Sequence, residues 1–182
     1  MFRNLIHYLK YLFTKYVVCK GSVIRYLRKQ GARIGKNCSI AGSFKIGTEP
    51  WLVQIGNHVR ISAGVMFITH DGSSWLFRDH LSNSSSYGNR LGKIIVHDNC
   101  NIGVNCIIMP DVTIGSHSII GAESIVTKNV PCNMVVAGVP AHPICTLDEY
   151  VEKYKQKMIP TQARTRKELR RDLTLYFWGE EL

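Results

Sequence analysis

A chain of 182 residues with 45% hydrophobic content holds about one domain's worth of core, which excludes a disordered protein. Its net charge of +10 and pI of about 9.5 suit plain solubility, or an anionic partner such as a phosphorylated cofactor, a membrane surface or nucleic acid. The six cysteines form no C-x-x-C pair, which argues against a zinc knuckle or a dithiol redox motif.

Residues 1–30 read as a helical segment. Leu5, Leu9, Leu12 and Tyr16 follow helical spacing, and Ile6, Phe13 and Val17 widen the stripe. The other face carries Arg3, Lys10 and Lys15, then Lys20, Arg25, Arg28 and Lys29. Lys10 and Lys15 interrupt the apolar run and no small-residue cleavage site follows, so no secretory signal is expected. The run is also too short and too charged to span a bilayer. A reducing cytosol is the expected location. The segment suits two roles: lying peripherally on the anionic inner face of the membrane, or capping the open strand edge of a β-structure over residues 31–145.

From residue 31 to 145 the chain repeats. Ile34, Ile40 and Ile46 stand six apart, as do Ile55, Ile61 and Phe67, then Val96, Ile102, Ile108, Ile114, Ile120 and Val126. Neither an α-helix nor an alternating strand has a period of six. Gly often follows the aliphatic residue (Gly35, Gly47, Gly56, Gly103, Gly115, Gly121), and Asn is common two places further on (Asn37, Asn99, Asn105, Asn129). Both tolerate positive φ, so a sharp corner is expected in every hexad. Four places after the aliphatic residue stand smaller ones, among them Cys38, Cys100 and Cys106. This pattern suits a prism of short parallel strands, three hexads to a coil. The three cysteines are then buried packing residues.

Between Phe67 and Val96 the count lapses, leaving an inserted loop over 70–93 with His70, Asp71, Trp75, Arg78, His80 and Tyr87. So long a loop in a compact domain marks function. Its root is fixed to rigid coils, which suits a catalytic side chain at His70. Histidine's ordinary pKa also suits a general base near neutral pH. His80 sits mid-loop and His97 faces outward from a regular hexad; neither is given a role.

Residues 146–182 form a helical extension. LDEYVEKYKQKM at 147–158 reads as one helix and QARTRKELRRDL as a charged, solvated one. The terminal LYFWGEEL is too apolar for a free tail and is expected to dock on a neighbour. No nucleic-acid partner is expected.

The iterated I-G-x-x-x-x, closing with IGAESIVTKNVPCNMVVAGVPAHPI at 120–144, resembles the hexapeptide-repeat acyltransferases. That resemblance, over residues 34 to about 145, implies an all-β, left-handed parallel β-helix. It also implies a homotrimer with active sites between subunits. The T-H-D-G sequence at 69–72 is similar to that of enzymes acetylating bacterial surface polysaccharides. The resemblance implies an O-acetyltransferase with acetyl-CoA as co-substrate, a sugar acceptor and no metal. His70 takes the general-base role, and the backbone N–H of Val104 takes that of oxyanion donor. Ala122, Thr127 and Lys128 match cofactor-contacting positions. His142 and Cys145 stand where the family often has arginine, and His142 joins the cofactor set. Asp71, Trp75 and Arg78 are the acceptor-binding candidates. Asn101 replaces a frequent aromatic residue and leaves the acceptor open. N-acetylation of an amino sugar and a non-catalytic scaffold remain alternatives. A β-helical zinc enzyme is disfavoured, because the chain lacks an H-x4-H pair to help bring three histidines together.

Overall fold

A computed structural model describes residues 22–76, 88–159 and 161–179. It comprises two units, Met1–Asp148 and Glu149–Leu182. In the first, helix α1 (Val23–Lys29) opens on Ser22, whose hydroxyl accepts from Arg25 N at 3.4 Å. Strands β1 (Arg33–Ile34), β2 (Ser39–Ile40) and β3 (Lys45–Ile46) follow, then β4 (Val53–Ile55), β5 (Arg60–Ile61) and β6 (Met66–Phe67). A hairpin, β7 (His70–Asp71) with β8 (Arg90–Leu91), stands apart. The repeat resumes as β9 (Ile94–Val96), β10 (Asn101–Ile102), β11 (Ile107–Ile108), β12 (Thr113–Ile114), β13 (Ile119–Ile120) and β14 (Ile125–Val126). It closes with β15 (Met134–Gly138) and β16 (Ala141–Thr146).

Successive strands take three sheets in turn. Sheet A holds β1-β4-β9-β12, sheet B holds β2-β5-β10-β13-β15-β16, and sheet C holds β3-β6-β11-β14. All pairs within them are parallel except β15 with β16. Ile102 lies opposite Ile120 and Ile108 opposite Val126, eighteen residues on in each case, so three hexads make one coil. The first aliphatic residue of each hexad fills the interior. Ile55, Ile61, Phe67, Val96, Ile102, Ile108, Ile114, Ile120 and Val126 are all 2% exposed or less.

Two expectations are corrected. The glycine after each aliphatic residue is not the positive-φ residue. That conformation falls two places later, at Asn37, His58, Asn99, Asn105, His117 and Glu123. The glycine is required by close approach: a Cβ at Gly103 would lie 2.5 Å from Ala122 N in the next coil. Cys100 and Cys106 are buried, but Cys38 is only half-buried. It belongs to the first coil, whose outer side has no coil stacked on it, and Ile34, Ile40 and Ile46 are half-buried for the same reason.

The cap reading applies to α1. Leu27 is buried, and the Arg28 guanidinium donates to Ile34 O at 2.8 Å and Gly35 O at 2.6 Å, satisfying carbonyls on the first coil's edge. Residues 1–21 lie outside the described residues, so the membrane reading of that segment finds no counterpart here. Among the described residues no helix is long and apolar enough to cross a membrane. Helix α2 (Leu147–Tyr154) follows β16. In the second unit, α3 (Arg166–Trp178) starts at a capping box between Thr165 and Glu168 and stops at Gly179 in the left-handed conformation. The aromatic trio Tyr176, Phe177 and Trp178 forms the exposed last turn of α3.

Candidate active site

His70 stands where the chain leaves the prism. Strand β6 ends at Phe67, Thr69 is still fully buried, and Gly92 N donates to Thr69 O at 2.9 Å, closing the base of the loop. His70 then pairs with Leu91 in the β7–β8 hairpin. Its side chain is 43% exposed. The loop tip, residues 77–87, lies outside the described residues, and with it Arg78 and His80.

The imidazole has a partner that sequence reasoning misses. His70 Nδ1 lies 3.0 Å from Glu49 Oε2. The buried Thr69 hydroxyl donates to the same oxygen at 2.6 Å, and the Thr48 hydroxyl donates to Oε1. Burial pushes the Glu49 carboxyl up. The hydrogen bonds from Thr48, Thr69 and His70, with the His70 charge, outweigh it and hold the pKa at about 2. An ionised carboxylate only accepts, so Nδ1 carries the hydrogen of the neutral ring, and among the described residues no partner is recorded at Nε2.

Asp71 points elsewhere, as alternation along a strand requires. It accepts from Ser73 N at 2.8 Å and approaches Arg90 at 3.7 Å. Hydrogen bonding to Ser73, helped by Arg90 and His70, outweighs a small desolvation cost and lowers its pKa. Asp71 thus shapes the turn and is not paired with the imidazole. Trp75 follows in the turn at Gly72–Leu76, 74% exposed.

The other candidates divide between two corners of the prism. Val104 and Ala122 share the corner between sheets B and C, stacked in adjacent coils through Glu123 N donating to Val104 O at 2.8 Å. At the corner between sheets A and B the matching N–H groups of the first two coils are engaged: Lys36 N donates to Asn57 Oδ1, and Asn57 N to Asp98 Oδ1. Among the described residues nothing accepts from Val104 N–H, which remains open to a ligand. Thr127 and Lys128 are exposed at the corner between sheets C and A, two coils above His70. His142 is exposed on β16, opposite Ala137, with Nδ1 3.3 Å from Pro140 O.

One chain does not bring His70 and Val104 together. Asn105 N bonds to Ala63 O, so Val104 stacks beside Ala63, seven residues before His70 along side C. The corner at Ala63–Gly64, strand β6 and the start of the next corner lie between them, so the two groups stand at opposite ends of side C. A groove of about 600 Å³ also lies away from His70. It runs over sheet B past Arg60 and Asn101, and its rim is the self-paired ladder His58–Asn99–His117.

Comparison with known proteins gives this scaffold a family. The profile described as bacterial transferase hexapeptide (six repeats) matches residues 93–128. Protein CapG of Staphylococcus aureus is 39% identical over 143 residues, covering 78% of both chains. This chain belongs to the hexapeptide-repeat bacterial transferases. A further relative is a putative colanic acid biosynthesis acetyltransferase, WcaF, of Escherichia coli K12. It is 31% identical over 127 residues, covering 63% of this chain and 69% of its own. Among solved structures, a galactoside acetyltransferase in complex with coenzyme A superposes with a TM-score of 0.52. It is 25% identical and covers 70% of this chain and 71% of its own.

Proposed function

We propose that this protein is an acyl-CoA-dependent O-acetyltransferase that moves acetyl from acetyl-CoA to a hydroxyl of a sugar or surface-polysaccharide precursor. The observation that carries the reading is the half-exposed His70, fixed at the root of the loop and held at Nδ1 by Glu49. The relative named as a putative colanic acid biosynthesis acetyltransferase and the solved galactoside acetyltransferase support the acceptor class.

Three groups perform the step. Nε2 of His70 takes the hydroxyl proton as the oxygen attacks the thioester carbonyl carbon. The Val104 N–H donates to the oxyanion. The intermediate then expels CoA thiolate, which takes the proton back from His70, so the ester forms, the C–S bond breaks and charge balances. The fold that does this is a left-handed β-helix, with the N-terminal segment and loop 70–93 built on a core of 31–145. A homotrimer lets His70 of one subunit meet Val104 of the next. Ala122, Thr127, Lys128 and His142 line the cofactor's path. Trp75 and Arg78 contact the sugar, and Asp71 holds the turn that presents them. The protein works in the cytoplasm, and its basic segment 1–30 brings it to the inner face of the membrane.

The test is acetyl-CoA turnover, read as released thiol, against galactosides, glucosides and amino sugars. His70→Ala should lose at least ~100-fold in kcat with the melting temperature kept. Unchanged turnover in that variant sinks the reading. Turnover confined to amino sugars moves it to N-acetylation.

A further inference from the structure

We infer that Glu49 is the positioning residue of the reaction: its carboxylate fixes the tautomer and aim of the His70 imidazole and stabilises the imidazolium that forms. The inference rests on His70 being the base.

Four observations carry it. Glu49 is the only carboxylate among the described residues recorded within bonding distance of the ring, at 3.0 Å from Nδ1. Asp71, adjacent in sequence, is turned away into the Ser73 turn. The Glu49 carboxylate is itself held from both sides, by Thr48 on Oε1 and by Thr69 on Oε2. Finally, the backbone makes room for this arrangement: a Cβ at Gly47 would collide with Thr69 Oγ1, so only glycine leaves that hydroxyl where it reaches Glu49. Thr48 and Thr69 thus come from two stacked coils and converge on the Glu49 carboxylate, which alone reaches the ring nitrogen, while Gly47 leaves room for the Thr69 hydroxyl.

The arrangement has a chemical consequence. A free imidazole exchanges its proton between two nitrogens and rotates about two bonds. An anchored, acceptor-only oxygen at Nδ1 removes both freedoms and leaves Nε2 as the reacting atom. When Nε2 takes the hydroxyl proton, the positive ring sits beside a negative carboxylate and the transition state gains what the ground state lacks. Glu49 touches neither substrate in this scheme and acts through His70.

The experiment uses the full chain labelled with ¹⁵N in histidine. Long-range ¹H–¹⁵N correlation reports which ring nitrogen carries the proton, and the signal missing from His70→Ala assigns the residue. In the wild type His70 should be locked as the Nδ1–H form. In Glu49→Ala it should become an exchanging mixture, while the other histidine signals stay in place and show the fold kept, even though the melting temperature falls. With the sugars of the panel as acceptors, Glu49→Ala should lower kcat by about 10- to 100-fold, a part of the ~10²–10⁴-fold a general base supplies. KM for acetyl-CoA should stay within about twofold, and Glu49→Asp should recover part of the loss. An unchanged His70 tautomer in Glu49→Ala overturns the proposal even if no sugar is turned over. Unchanged kcat in Glu49→Ala, with His70→Ala inactive, overturns it and leaves the base assignment standing. Activity in His70→Ala instead removes the base assignment itself.

Discussion

At the scale of residues, the site is a small charge problem solved by three hydroxyl and imidazole donors. Thr69 is fully buried and its hydroxyl is committed to Glu49. Thr69→Val keeps the shape and removes the donor. It should cost about 1–2 kcal/mol in stability, since a half-buried carboxylate loses one of its hydrogen bonds. It should also lower kcat less than Glu49→Ala does; urea titration and initial rates check both. The pH dependence has a definite sign. The folded pKa of Glu49, about 2, lies below its ordinary 4.5. The stability it contributes is therefore fully present above about pH 4.5 and is lost as pH falls toward 2. Glu49→Gln should be less stable than the wild type at pH 6, and the gap between the two urea midpoints should close as pH falls through that window. A gap that stays constant from pH 6 to 3 contradicts the assignment.

At the scale of elements, the corners of the prism divide the labour. The A–B and B–C corners are regular, while the C–A corner carries both interruptions of the repeat. The long one follows Phe67. The short one lies between Ile46 and Ile55, where the step is nine instead of six and a 3-10 turn, Pro50–Leu52, takes up the excess. Glu49 is the residue entering that turn. Ile46 pairs with Phe67, so the two irregularities are stacked one coil apart. The repeat, the coil length and His70 are legible in the sequence, because a strict period and a long polar insertion are one-dimensional signals. Glu49 is not, although the jump of nine announces an irregularity there. Its role depends on which corner the jump falls at, and only the coil register shows that. The glycines are likewise visible, but their reason, contact with the coil above, is three-dimensional. The cysteines give an element-scale test. Burial pushes up the Cys100 and Cys106 thiols against small opposing hydrogen-bond effects. Both sit in the layer that Ser118 and Ser124 occupy in the following coil. Iodoacetamide should label the exposed Cys132 in the native protein and reach Cys100 and Cys106 only after unfolding, which peptide mass mapping resolves.

At the scale of the whole molecule, the placement of His70 and Val104 at opposite ends of side C within one chain decides how a site can form. Both are rooted in the rigid coil stack, and closing that gap by bending would break ladder hydrogen bonds along sheet C. A second copy meets the need without bending, if the C–A corner of one chain faces the B–C corner of the next. Closed symmetry then makes every site equivalent and built from two chains. This arrangement predicts complementation. His70→Ala removes the base and Val104→Pro removes the N–H donor, so each homo-oligomer should be nearly inactive. When the two variants are unfolded together at equal amounts and refolded, each site draws independently on two chains. About one quarter of the sites should then pair an intact His70 with an intact Val104 from the neighbour. Turnover should rise to roughly a quarter of the wild-type value, and refolding either variant alone should give no rise. A mixture that stays at the sum of its parents, with mixed oligomers verified by native mass spectrometry, places both groups in one chain or removes Val104 from the reaction.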